Sequence, residues 1–391
     1  MSAAVATQGL ERPGTRWVNS PGWDAFWMFS ALWGVPLLLV GSLVTNLAAF
    51  ALALFAVNQL MSVFHSLSTT YMVLGSPLLK EERRLNRRKY FTIPLAIVLF
   101  CFALGLYVAV TQRFPEDGRL AAGMWPWMLY VGLFWVGHFW HFGNQDFGVL
   151  TIYRLKAGQT GLRDRKVDRL YASAMMFVIQ PIVYVCFVKA TAFAEVLHTF
   201  LPLGPTFLEA ASASAVGAAG IFTVGVVAFE LSKPNRSLPK LLYYVVMFLH
   251  PVLLYTSVVT QSYGLGALYV IAYLWSHWLI AISLVGRINT RYYQSRGDSQ
   301  PVSLLKHVAI LGFIVGVVSL LFYSFPTFHL LSIDSYRYKE VLASITPEMR
   351  LFVGALFGYF LAEQILHYYC DRSLFSLRDP GVRKNVAPLL L

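Results

Sequence analysis

Six histidines lie inside long apolar runs: His65, His138, His141, His250, His277 and His367. An ionisable side chain in hydrocarbon is costly and by default marks a functional site. Imidazole is also the commonest transition-metal ligand. His138 and His141 are spaced i,i+3, so both rings leave one helix face; Glu363 and His367 are spaced i,i+4 and do the same. A carboxylate beside a histidine inside a membrane either ligates the same metal or orients the ring. Imidazole with carboxylate favours iron, zinc or manganese over a thiolate-seeking metal, and such a shell can keep positions open for O₂ on iron. The six histidines are therefore the candidate metal ligands. Glu363, Asp146 and Gln145 are the candidate catalytic or orienting residues around them.

Each residue also has a plainer reading. Ser66, Thr69 and Thr70 are nearby partners for His65. Pro251 follows His250 and frees backbone carbonyls one turn earlier. Glu363 could carry protons or bridge to a polar helix. Glu230, next to Lys233 at a helix end, reads as interfacial. His198 and His329 fall in outer loops, and His307 lies near the start of a helix. The many aromatics include interface belts and ordinary packing. Those around the histidines (Phe134, Trp135, Phe139, Trp140, Phe142, Trp275, Trp278, Tyr368 and Tyr369) would suit a long apolar or conjugated ligand.

The elements that position these groups are hydrophobic helices. The chain has 391 residues, 57% hydrophobic and 13% charged, against about 25% charged in soluble domains. A water-soluble enzyme and a disordered chain are excluded. Ten apolar stretches are long enough to cross a ~30 Å hydrocarbon core. They run near 26–44, 47–74, 90–112, 120–143, 170–191, 212–230, 241–260, 265–286, 303–325 and 350–370. The first two are joined only by Thr45-Asn46 and form a hairpin. Segment 192–211, interrupted by Pro202 and Pro205, reads as a helix or re-entrant piece at the outer interface. Segments 75–89, 144–169, 233–240, 287–306 and 372–384 and the N-terminus hold 25 of the 31 Lys and Arg. These segments alternate with those on the other side. The positive-inside rule then puts both termini in the cytoplasm, and the net charge of +12 needs no nucleic acid. The expected fold is an all-α integral membrane bundle of about ten transmembrane helices. Residues 1–25 form a cytoplasmic N-terminal segment, 26–370 the ten-helix domain and 371–391 a cytoplasmic tail, in a bacterial inner membrane. All six histidines then sit roughly 5–15 Å inside the cytoplasmic boundary.

The stretch from His138 to Gly148 is the most unusual in the chain. Gly143 and Gly148 permit close approach or a helix exit near Asn144-Gln145-Asp146. The run His141-Phe142-Gly143-Asn144-Gln145-Asp146 resembles the H-[FW]-G-x-x-D motif of the Brp/Blh-type β-carotene 15,15'-dioxygenases. These are polytopic membrane enzymes that use histidine-bound iron and O₂ to split a carotenoid. The resemblance covers six residues and implies His141 as an iron ligand and Asp146 as its orienter. The family's early H-G-x-x-D-H motif is absent; Phe64-His65-Ser66 is the nearest match.

The leading expectation is a non-haem iron oxygenase or oxidoreductase acting with O₂ on a lipophilic substrate that reaches it through the bilayer. One alternative is a haem- or quinone-binding electron-transfer protein; another is a proton-coupled or metal-ion transporter using the same histidines and Glu363 as a relay. Another transition metal could take the place of iron. Cys101, Cys186 and Cys370 form no metal motif, and no Walker A loop, GxGxxG, HExxH or HxxHH box occurs.

Overall fold

A computed structural model describes residues 16–111, 125–189, 204–297, 346–376 and 379–391. The helices are α1 (Pro21–Trp27), α2 (Ser30–Val44), α3 (Leu47–Leu74), α4 (Lys80–Leu85), α5 (Ile93–Thr111), α6 (Trp125–Lys156), α7 (Leu162–Ala174), α8 (Gln180–Lys189), α9 (Pro205–Leu231), α10 (Leu238–Val259), α11 (Tyr263–Gln294), α12 (Pro347–Phe375), α13 (Pro380–Asn385) and α14 (Ala387–Leu390). No strand occurs among the described residues. Among the described residues, six helical stretches are long and apolar enough to cross a membrane: 88–111, 162–188, 206–231, 238–259, 263–294 and 350–375. The bent pair α1–α2, which turns by 54°, would make a seventh. The expected span 303–325 lies outside the described residues, as does 192–203.

Three boundaries differ from expectation. Helix α6 does not leave at Asn144 but continues to Lys156. A packed neighbour rather than a turn uses Gly143, whereas a Cβ on Gly148 would meet nothing within 4 Å. A Cβ on Gly143 would lie 3.0 Å from Met176 Cβ, in a π-helical turn between α7 and α8. Residues 205–211, expected in an outer interfacial piece, are the first two turns of α9. Pro205 starts that helix because its missing N–H is an orphan there in any case. The 371–391 tail is also partly structural. Helix α12 runs through Phe375, and Val382, Val386 and Leu390 are buried in the main core. Lys89 holds Asp379 at 2.6 Å. Burial pushes the Asp379 carboxyl up, but the Lys89 ammonium outweighs this and holds it below the usual carboxylate range.

Small residues set the closest helix contact. A Cβ on Gly105 of α5 would fall 2.2 Å from the Gly358 nitrogen of α12. One on Gly358 would fall 2.5 Å from Phe102 Cα, and one on Gly354 2.8 Å from Leu106 Cα. Gly354 and Gly358 make a small-xxx-small face, which lets membrane helices touch backbone to backbone. Helix α12 also packs on α3 and α6, and α11 packs on α2 and α3.

At the other side of the bundle a buried charge network joins α6, α7, α9 and α10. Lys240 lies 2.8 Å from Asp168 and 3.1 Å from Glu230, and all three are fully buried. Arg154 Nε is 3.2 Å from Asp168 Oδ2. Lys233 joins Glu230 at 2.8 Å and Asp164 at 2.7 Å. Gln159 donates to Glu230 Oε1 at 2.5 Å. Glu230, at the end of α9 beside Lys233 as expected, is thus also a buried member of an ion-pair network; its further partner Lys240 arrives from ten residues downstream.

Two variants test these contacts. Gly358→Leu should lower thermal stability in detergent by about 1–3 kcal/mol or more through overpacking. Gly217→Leu, at a position open to the surroundings, should not; equal effects would refute the packing argument. Lys240→Met leaves Asp168 with Arg154 and Glu230 with Lys233 but removes the cation that joins them, and should cost about 1.5–3 kcal/mol, read as a lower unfolding temperature and reduced yield of folded protein.

Candidate metal centre

Four helices each bring one imidazole to a common point. His65 comes from α3, His141 from α6, His277 from α11 and His367 from α12, and all four are buried. One ligand atom from each lies within 4.8 Å of the others, an arrangement that could hold a metal ion. The rings form a closed circuit of edge-to-face neighbours. Centroids are 4.9 Å apart for His65–His277, 4.8 Å for His277–His141, 4.9 Å for His141–His367 and 4.1 Å for His367–His65. Interplanar angles run from 70° to 81°. Across the circuit, His65 and His141 are 6.1 Å apart.

The polar atoms of this group lack ordinary partners. Both ring nitrogens of His65 and of His367 are buried without a hydrogen bond. Of the hydroxyls expected to satisfy His65, Thr69 donates instead to its backbone carbonyl at 3.5 Å, as does Ser68 at 2.9 Å. His141 Nε2 and His277 Nε2 face each other at 3.0 Å. Asp371 adds a carboxylate, with Oδ2 3.4 Å from His141 Nε2 and 3.6 Å from His367 Nε2. Neither Asp371 oxygen has a hydrogen-bond partner. Orphaned buried polar groups are rare and need a cause. With metal–nitrogen bonds of about 2.0–2.1 Å, two ligands at a right angle sit about 3.0 Å apart and two opposite ligands about 4.2 Å. The 3.0, 3.4 and 3.6 Å separations fall within this range, and the 4.8 Å limit of the imidazole set is slightly wider than it.

The sequence alone did not single out Asp371, which read as the polar exit of its helix. Its signal was the spacing: Glu363, His367 and Asp371 stand at i, i+4 and i+8, one stripe of α12.

The other expected residues surround the four without joining them. His138 Nδ1 is 3.2 Å from the Tyr368 hydroxyl. His250 packs edge-on against Tyr273, with centroids 4.1 Å apart. Glu363 Oε2 accepts from Gln364 at 2.5 Å, and its Oε1 has no partner. Gln145 donates to the His277 carbonyl at 2.8 Å and so ties α6 to α11 beside the centre. Asp146 accepts from the Tyr243 hydroxyl at 2.6 Å rather than from His141. Two further rings hold the imidazoles: Phe142 stacks on His277 at 3.7 Å, and Tyr368 stacks on His141 at 4.5 Å.

No family model, curated protein or solved structure matches this chain.

Asp371→Asn keeps the shape but removes the anionic donor. Metal affinity, measured by competition with a chelator on purified protein, should fall by about 10–100-fold. Glu81→Gln, on the exposed helix α4, should leave it unchanged. An unaltered affinity in Asp371→Asn would remove the carboxylate from the site.

Proposed function

We propose that the protein is a membrane-embedded metalloenzyme, a non-haem iron oxygenase or oxidoreductase acting with O₂ on a lipophilic substrate. The observation that carries this reading is the convergence of four buried imidazoles and one unpartnered carboxylate. Such a group set in an apolar bundle marks a functional site by default, and donors converging on one point suit a cation. Nitrogen and oxygen donors without thiolate point away from soft-metal sites. Five donors exceed the four of structural zinc and suit iron or manganese, with a sixth position left for an exogenous ligand. When bound, iron would supply O₂ binding and one-electron chemistry. The protein would exclude water, fix the ring orientations and hold the substrate alongside.

Ring spacing favours this over the haem alternative. Axial histidines on haem face one another across a porphyrin plane. Here adjacent rings meet edge to face at 4.1–4.9 Å, which leaves no gap for a macrocycle. The histidines also form one closed pocket instead of a string along a path, which weighs against transport. The resemblance through His141-Phe142-Gly143 brings a carotenoid-like polyene within the substrate class.

In this proposal the chain crosses ten times with both termini in the cytoplasm of a bacterial inner membrane. Helices α3 and α6 and the bent pair α1–α2 add to the six spans described above, and the expected span 303–325 lies outside the described residues.

Metal analysis and a visible spectrum of the same detergent-purified sample test the reading. The expected result is about one iron per chain and no Soret band, with His141→Ala losing most of the iron. A Soret band, or a folded wild-type protein without transition metal, would overturn it.

A further inference from the structure

His138 shares a helix face with His141 yet stands outside the four converging rings. Its hydrogen bonds run in one direction. Gln364 Nε2 donates to Glu363 Oε2 at 2.5 Å. That fixes the amide with Oε1 toward Tyr368, whose hydroxyl donates to it at 3.2 Å. A hydroxyl has one proton, so the Tyr368 oxygen accepts at its other contact, His138 Nδ1 at 3.2 Å. Nδ1 therefore carries the ring hydrogen, and Nε2 of the neutral imidazole presents a lone pair. Among the described residues no hydrogen-bond partner meets Nε2, and His138 is only partly buried.

The surroundings of this acceptor are aromatic. Phe134 stacks on the His138 ring with centroids 5.9 Å apart, and Phe142 lies at 4.0 Å. Trp135 and Phe139 approach its edge at 6.1 and 6.4 Å, and both also touch Tyr184. The same Tyr368 that orients His138 stacks on the metal-site ring His141. One side chain thus links a lone polar acceptor in an aromatic wall to the candidate metal centre.

We propose that His138 Nε2 receives the hydroxyl of an otherwise apolar substrate, an alcohol-bearing lipid, and so places the chain beside the metal. This rests on the function proposed above and narrows its substrate class. Tyr368 is then a positioning residue, and Glu363 is the accepting end of the chain that fixes the tautomer. A site built to accept a hydroxyl rejects the analogue that lacks it, because its own polar atom is left unpaired.

The test uses dibromostearyl alcohol and its methyl ether as probes. Binding is read by quenching of tryptophan fluorescence in detergent-purified protein, with metal content measured in parallel. Wild-type protein should prefer the alcohol by about fivefold, the worth of one net hydrogen bond. His138→Phe should abolish the preference and keep wild-type metal content. Tyr368→Phe, which keeps the stacked ring, should shrink the preference and leave the affinity for the ether unchanged. A preference that survives in His138→Phe overturns the proposal. So does loss of metal from folded His138→Phe, which would make His138 a ligand. A wild-type protein that prefers the alcohol but holds no metal would instead refute the metalloenzyme reading and sustain the His138 assignment.

Discussion

Several ligand groups pointed at one another in a low-dielectric interior repel, and their lone pairs go unused unless a proton or a metal cation lies between them. His65, His141, His277, His367 and Asp371 are in that situation. In water each would be solvated. Between apolar helices each unsatisfied group destabilises the fold, and the same atoms that would weaken an empty bundle could hold a metal ion. Helices α3, α6, α11 and α12 bring these five groups together.

The fold meets that demand with devices placed away from the centre. The Gly354–Gly358 face lets α12 lie backbone to backbone on α5, which sets the depth and rotation of the helix carrying His367 and Asp371. Gln145 ties the α11 backbone to α6 beside His277. The Lys240–Asp168–Glu230 network pins the ends of α6, α7, α9 and α10. Buried ion pairs of this kind contribute little net stability but make mispairing costly. Asp24 plays a similar part near the N-terminus. It accepts from the backbone of Val18 and Asn19 and from the Tyr153 hydroxyl, and so docks the start of the chain on α6.

The sequence made the membrane class, the helical nature of the elements and the interest of the histidines legible, because each depends on local composition. It did not separate the four convergent histidines from His138 and His250. All six sit in apolar helices, and only rotation about the helix axes tells which rings share a centre. Asp371 looked like a boundary residue because an acid next to Arg372 usually marks a helix leaving the membrane; packing against α3 and α6 keeps it inside. Asp146 looked like an orienter of His141, but on α6 it faces Tyr243 of α10. Glycines 143 and 148 suggested an exit, yet a neighbouring helix makes Gly143 a contact point instead.

Sequence by itself determined that this chain belongs in a bilayer, since burying so many apolar side chains in water is impossible for a protein with so few charges. It also determined that ionisable groups with metal-ligand chemistry lie within the apolar helices. Tertiary structure alone decided which of them meet, because a donor set drawn from α3, α6, α11 and α12 spans some three hundred residues of chain. No local spacing encodes such a meeting; it is fixed by how closely the helices approach and how each is turned about its axis.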